Sequence, residues 1–374
     1  MTTTSANLLA KGYELIDGIT VPVGTSNVDL AVEGKEPQNA KKLTITVGNG
    51  QCSARPLVAC YQRDARMVNG QCSMFNGQCS MVNGQCSMIN LWVFRPAGYK
   101  AGETTPLIYF IHGGGYHFGN VSMDEPKIQG IADGSGATVI APDYTLSLDP
   151  AYKYPMELEQ VYAGLLYAYE HAAELNVNPD NFVIEGESAG GGLCARLGLY
   201  NKDKGKVPLK GQVLIYPMLD YRTGGEKDLY KNEYVGHCVW TKENNVFGWG
   251  KLIEGQDKAL SDDEMVYFSP AVATVEQLKG LPETFMIVGS LDLFCDEDMS
   301  YAQKLMEAGI FTELYVEPGV PHAYEYLYWT PQAHRFFELR DHATARMLGA
   351  EKDVKESEEA KAFKELLLKY NLEQ

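Results

Sequence analysis

The sequence predicts an α/β fold, a mostly parallel central sheet with helices on both faces. Three observations predict it. Short, almost continuously apolar runs recur from residue 106 onward, as expected of strands covered on both sides. Helical patterns separate these runs, which is the alternation that parallel strands need for their crossovers. Hydrophobic residues make up 45% and charged residues 22% of 374, enough apolar material for a sizeable core.

Taken in order, residues 1–42 are mixed and polar, with one short helix expected around 6–16. Residues 43–48 (LTITVG) alternate β-branched side chains and predict a strand. The heptad Met-Xaa-Asn-Gly-Gln-Cys-Ser follows in tandem at 67–73, 74–80 and 81–87, after an isolated copy of Asn-Gly-Gln-Cys-Ser at 49–53. With 54–87 removed the chain reads TVGNGQCSMINLWVFRP, a strand, an Asn-Gly turn and a second strand. We read the repeat as a hairpin turn expanded by duplication. It is too short for a solenoid, whose units run to about 20 residues or more. Cys72, Cys79 and Cys86 lack CxxC spacing, so a tolerated surface insertion is the expectation.

Strands are predicted at 106–111 (PLIYFI), 136–142, 182–185 (FVIE), 212–216 (QVLIY), 284–288 (TFMIV) and 312–316 (TELYV). Helices are predicted at 157–175, 189–200, 296–308 and from Pro331. An aromatic, charge-rich insert at 218–268 carries Tyr230, Tyr234, Trp240, Phe247 and Trp249. It interrupts the alternation beyond a strand's C-terminal end, where α/β sheets bind ligands. Residues 351–374 read as a charged helical tail.

Acids outnumber bases 49 to 32, a formal charge of −17, which disfavours phosphate backbones and anionic membranes. No run reaches the roughly 18 apolar residues of a membrane span, and Met1 to Gly18 lacks a signal-peptide pattern. Eight cysteines fall far below disulfide-scaffold density, so a reducing cytoplasm is the expectation.

Chemistry concentrates at two motifs. Gly186-Glu187-Ser188-Ala189-Gly190 follows the FVIE run and precedes a helix, so its glycines allow a sharp turn that projects the serine. His112-Gly113-Gly114-Gly115 follows PLIYFI and exposes backbone N–H groups of the kind an acyl-transfer oxyanion needs. We assign that hole to the N–H groups of Gly114, Gly115 and Ala189. A phosphate cradle would want a lysine and a following Ser or Thr, which HGGGYHFGN lacks. Of the seven histidines, His322 lies in a loop just past a strand, where a base for Ser188 belongs. Asp292, two residues beyond TFMIVG, is the candidate acid, with Asp296 as the alternative.

With Ser188, Asp292 and His322 in that order, the chain resembles the hormone-sensitive-lipase-like carboxylesterases of the α/β-hydrolases. The landmarks are HGGG at 112–115, Asp143-Tyr144, GESAGG at 186–191, Tyr216-Pro217, Ser269-Pro270, Asp292 with Asp296-Glu297, Tyr301-Ala302, Ala308-Gly309 and His322. The resemblance implies an α/β-hydrolase fold and a serine esterase for short-chain acyl esters (acetyl to butyryl or hexanoyl). It implies no cofactor, no metal, and a small-molecule ester as partner; homo-oligomerisation stays open. It also implies a cap from residues 1–42 and the 218–268 insert over a 43–350 catalytic domain. Trp240 and Trp249 could line the pocket or pack the cap down, and no substrate-binding residue is assigned. Two departures stand out. Glu187 replaces the family's aspartate, and Thr145 replaces an arginine. Other acyl hydrolases on this fold (sugar deacetylase, thioesterase, peptidase) remain alternatives, as does a non-catalytic binding protein.

Overall fold

The computed structural model describes residues 9–11, 13, 19–27, 36–47, 87–256 and 259–350. The heptad repeat up to residue 86, most of the predicted 6–16 helix and the 351–374 tail lie outside them. Eight strands form one sheet: β1 (Lys41–Val47), β2 (Ser87–Phe94), β3 (Thr105–Ile111), β4 (Thr138–Asp143), β5 (Val177–Glu187), β6 (Leu209–Ile215), β7 (Glu283–Gly289) and β8 (Thr312–Glu317). Their spatial order is β1-β2-β4-β3-β5-β6-β7-β8. From β4 to β8 all neighbours are parallel, while β2 runs antiparallel to both β1 and β4. β1 and β2 pair from Lys41↔Val93 to Val47↔Ser87, so the chain leaves and rejoins one antiparallel pair around the repeat.

The predicted apolar runs occupy the middle of this sheet. Leu107 to Ile111 of β3 are fully buried between β4 and β5, which explains a strand with no polar alternation. The helices are α1 (Glu125–Ser135), α2 (Met156–Glu170), α3 (Ala172–Leu175), α4 (Ala189–Lys204), α5 (Lys242–Leu252), α6 (Asp262–Phe268), α7 (Val275–Leu278), α8 (Cys295–Glu307) and α9 (Pro331–Met347). The single helix expected over 157–175 is two, broken at His171. That imidazole stacks on Tyr167 and hydrogen-bonds its carbonyl, drawing the local backbone off the helical path. No described helix is long and apolar enough to cross a membrane.

One core residue breaks the apolar rule. Glu185, opposite Phe110 and Val213, is fully buried, and neither of its carboxylate oxygens has a hydrogen-bond partner among the described residues. Burial pushes its carboxyl up to about 7, outweighing Arg340 at 4.0 Å. The fold therefore favours the protonated acid. Its contribution is complete below the unfolded value and is lost as pH rises through about 7. At about 1.36 kcal/mol per pKa unit the loss is roughly 3 kcal/mol. Glu185→Gln should remove this pH dependence and be the more stable protein at pH 8. Urea unfolding at pH 5 and pH 8 checks this: an equal gap between wild type and variant at both pH values would refute it.

Candidate active site

Four strand ends build the site. The glycine loop follows β3, Ser188 follows β5, Asp292 lies three residues past β7, and His322 lies five past β8. Because β3, β5, β6, β7 and β8 are lateral neighbours, their C-terminal ends converge on one edge of the sheet.

Ser188 is held at φ 54° and ψ −123°, a strained conformation for a residue with a side chain. Backbone bonds alone fix it there. Its N–H donates to Ile215 at 2.9 Å, and its carbonyl accepts from Gly192 at 2.9 Å and Met218 at 3.0 Å. The turn into α4 also needs Gly190, where a Cβ would sit 2.1 Å from the Ile111 carbonyl oxygen. Two consequences follow: α4 packs against the end of β3, and the Ser188 hydroxyl projects from the sheet edge.

His322 bridges the other two side chains. Its Nε2 lies 2.9 Å from Ser188 Oγ and its Nδ1 lies 2.7 Å from Asp292 Oδ2. All three side chains are buried. Asp292 holds the turn after β7 by accepting the Phe294 N–H at 3.0 Å through its other oxygen. The His322 loop is tied to that turn by Leu291 N–H to Val320 and Ser290 N–H to Glu317, at 3.0 and 2.8 Å. Rings surround the imidazole, with Tyr216 at 4.6 Å, Phe294 at 5.3 Å and Trp240 at 6.3 Å between centroids. Asp296 lies in the first turn of α8 and makes no hydrogen bond to His322 among the described residues.

The glycine loop lies against this group: a Cβ on Gly113 would come within 3.3 Å of Ser188 Cβ. Gly114 has φ 108°, and a side chain there would strike the Phe118 carbonyl oxygen at 2.0 Å. The Gly114 carbonyl accepts from His117 and Phe118, both at 3.0 Å, whereas no loop hydrogen bond among the described residues uses the Gly114 or Gly115 N–H. His112 stacks on Tyr144 at 4.4 Å, and the Tyr144 hydroxyl donates to the His112 carbonyl at 3.0 Å. Ala189, fully buried, opens α4 beside the same loop.

Trp240 packs over Gly115 near His322, whereas Trp249 packs between Tyr116 and Phe268 at 5.4 and 5.0 Å. The two tryptophans thus play different parts, one beside the centre and one securing the insert. Glu187 pairs with buried Lys127 of α1. Thr145 is satisfied by Gln160, which accepts its N–H at 2.8 Å and donates to its hydroxyl at 2.9 Å. Among the described residues no group of three or more His, Cys, Asp or Glu could hold a metal ion.

Sequence reasoning missed α1 and with it Lys127. The signals were present: Pro126 at the first turn, Ile128, Ile131 and Ala132 on one face, and Gly136 in the left-handed cap. It also assigned no role to Glu325 or to the ring of Tyr216, whose placement depends on loops.

A family model described as the alpha/beta hydrolase fold matches residues 108–326, more than half of the chain. The chain belongs to that family. Within it, the similarities fall in the hormone-sensitive-lipase-like branch. Carboxylesterase NlhH of Mycobacterium tuberculosis is 29% identical over 229 residues, covering 59% of this chain and 67% of that protein. An arylesterase of Saccharolobus solfataricus is 27% identical over 228 residues, covering 58% and 68%. Among solved structures, a bacterial heroin esterase superposes with a TM-score of 0.64 at 25% identity, covering 85% of this chain and 88% of that one. A Pyrobaculum calidifontis esterase gives 0.59 at 26% identity, covering 70% and 81%.

Proposed function

We infer that this α/β-hydrolase is a serine carboxylesterase acting on short-chain acyl esters. The observation that carries the reading is the chain of two short contacts, Ser188 Oγ to His322 Nε2 and His322 Nδ1 to Asp292 Oδ2, beside a loop of glycine amides.

In this reading Ser188 Oγ attacks the ester carbonyl carbon and its proton passes to His322 Nε2. Asp292 accepts the Nδ1–H, holding the tautomer and stabilising the imidazolium. The N–H groups of Gly114, Gly115 and Ala189 donate to the oxyanion; losing one such donor typically costs about 2.7–4 kcal/mol of barrier. Collapse of the intermediate breaks the ester C–O bond, and His322 returns its proton to the departing alkoxide. Water then gives a proton to His322 and attacks the acyl carbon. Collapse of this second intermediate breaks the bond between the acyl carbon and Oγ, His322 returns its proton to Ser188 Oγ, and the acid is released.

The short-chain preference draws support from Trp240, which stands over Gly115 with His117 and Phe118 beside it and Phe247 packed on His117. A wall of rings there would limit the room open to a long acyl chain. We further read 1–42 and 218–268 as one cap over a 43–350 catalytic domain. Val21 N–H donates to the Val239 carbonyl at 2.8 Å, the Val21 carbonyl accepts from Asn244 Nδ2 at 2.9 Å, and Asn27 brackets Gly119. The reading needs no cofactor, takes a small-molecule ester as partner, and keeps the cytoplasm as its setting on cysteine usage.

A series of p-nitrophenyl esters from acetate to dodecanoate, run beside acetylated carbohydrates, tests the proposal. The expected result is a kcat/KM maximum at or below hexanoate. A maximum at decanoate or dodecanoate would overturn the short-chain reading, and turnover confined to the carbohydrates would favour a deacetylase.

A further inference from the structure

A buried charged cluster lies behind the site, and the mechanism above does not use it. Lys127 projects from α1 with its side chain 4% exposed. Its ammonium pairs with Glu187, lies 3.3 Å from Glu325 Oε1 and 3.9 Å from Asp124 Oδ1, and donates to the Tyr326 hydroxyl at 2.8 Å. That hydroxyl is 2.9 Å from Asp124 Oδ1 and 3.2 Å from Glu187 Oε1. Glu187 immediately precedes Ser188, and Glu325 lies three residues after His322. Tyr216 completes the circuit: its hydroxyl donates to Glu325 Oε1 at 2.5 Å, and its ring packs on His322.

From this arrangement we propose that Lys127 is a positioning residue, a single ammonium that clamps the nucleophile turn to the histidine loop and so sets the approach of His322 to Ser188. The proposal rests on the esterase reading of those two residues. The charge count makes the clamp necessary. Three carboxylates surround one ammonium with their side chains at most 10% exposed, where unpaired like charges repel strongly. Burial raises both Glu187 and Glu325, and Lys127 pulls each back. Tyr328 flanks the cluster, and Glu185 of β5 with Arg340 of α9 extends it. Without Lys127 the two glutamates face each other without its charge, one on the turn that carries Ser188 and one on the loop that carries His322. Their separation would carry Ser188 away from His322, and a displacement of about 1 Å can cost on the order of 100-fold in rate.

The test compares wild type, Lys127→Met, Glu325→Gln and the double variant, all as the full chain. Lys127→Met keeps the aliphatic stem and removes the charge. It should lower kcat roughly 10- to 100-fold with KM within about twofold, a transition-state effect rather than lost substrate binding. The defect should deepen as pH rises and the two glutamates, both raised by burial, ionise. Adding Glu325→Gln removes one of the repelling charges, so the double variant should recover most of the lost kcat and approach the wild-type pH profile. A second readout needs no turnover: the far-downfield proton on His322 Nδ1, assigned by its loss in His322→Gln. It should shift or broaden in Lys127→Met and return in the double variant. Should Lys127→Met fail to fold, the double variant is judged against Glu325→Gln alone, and equal kcat supports the clamp. Unchanged kcat in Lys127→Met, or a double variant no better than the single, overturns it. A wild type that hydrolyses no ester would instead sink the esterase reading, and the imidazole proton would still judge Lys127.

Discussion

Ser188→Ala should abolish ester turnover, lowering kcat on the order of 10⁶-fold while leaving the fold intact. The size of the loss follows from the chemistry: without Oγ there is no acyl-enzyme, and His322 has nothing to activate. The preserved fold follows from the backbone. The bonds that hold residue 188 in its strained turn run from its N–H to Ile215 and from Gly192 and Met218 to its carbonyl, and none uses the side chain. Alanine fits the same space with one atom fewer. The hydroxyl's only described hydrogen-bond partner is the His322 ring, so thermal melting should stay within about 1 kcal/mol of wild type in stability. A fluorophosphonate that labels wild type and fails to label the variant would place the reactive hydroxyl at this position. A variant that still turns over p-nitrophenyl acetate at the wild-type rate would remove Ser188 from the mechanism.

Which parts of the site were legible in the sequence follows from how each part is fixed. Ser188 and the glycine loop are local features: Gly190 is demanded by the Ile111 carbonyl, and Gly114 by its own φ of 108°. Constraints of that kind leave a written trace. The central strands were legible for a related reason, since burial on both faces tolerates only apolar side chains, as in Leu107 to Ile111. Glu185 is the exception, and nothing in FVIE marks which face it occupies or that Arg340 stands beyond hydrogen-bond reach. The Lys127 cluster was illegible because its members are 60 and 198 residues apart and meet only once α1 packs beside the His322 loop. Trp240 and Trp249 look alike in sequence. Only tertiary packing separates the ring over Gly115 from the ring against Tyr116 and Phe268.

Asp292→Asn should lower kcat on the order of 10⁴-fold, and Asp296→Asn should leave it within about threefold of wild type. The contrast decides between two acids four residues apart. Asp292 Oδ2 lies 2.7 Å from His322 Nδ1 and can only accept there, which keeps the proton on Nδ1 and a lone pair on Nε2 facing Ser188. An asparagine that keeps its oxygen on the Phe294 N–H must turn its amide nitrogen toward the imidazole. Two donors cannot share that contact, so the ring adopts the opposite tautomer and presents N–H, not a lone pair, to the serine. The Phe294 bond survives and the turn after β7 keeps its shape, so the loss falls on kcat with the protein folded. Asp296 sits in the first turn of α8, where its charge favours the positive end of the helix at about 0.3–1 kcal/mol and touches no ring nitrogen. Equal losses in the two variants would mean that the acid acts through the field of the α8 turn rather than through the tautomer, and the assignment of Asp292 would fall with that result.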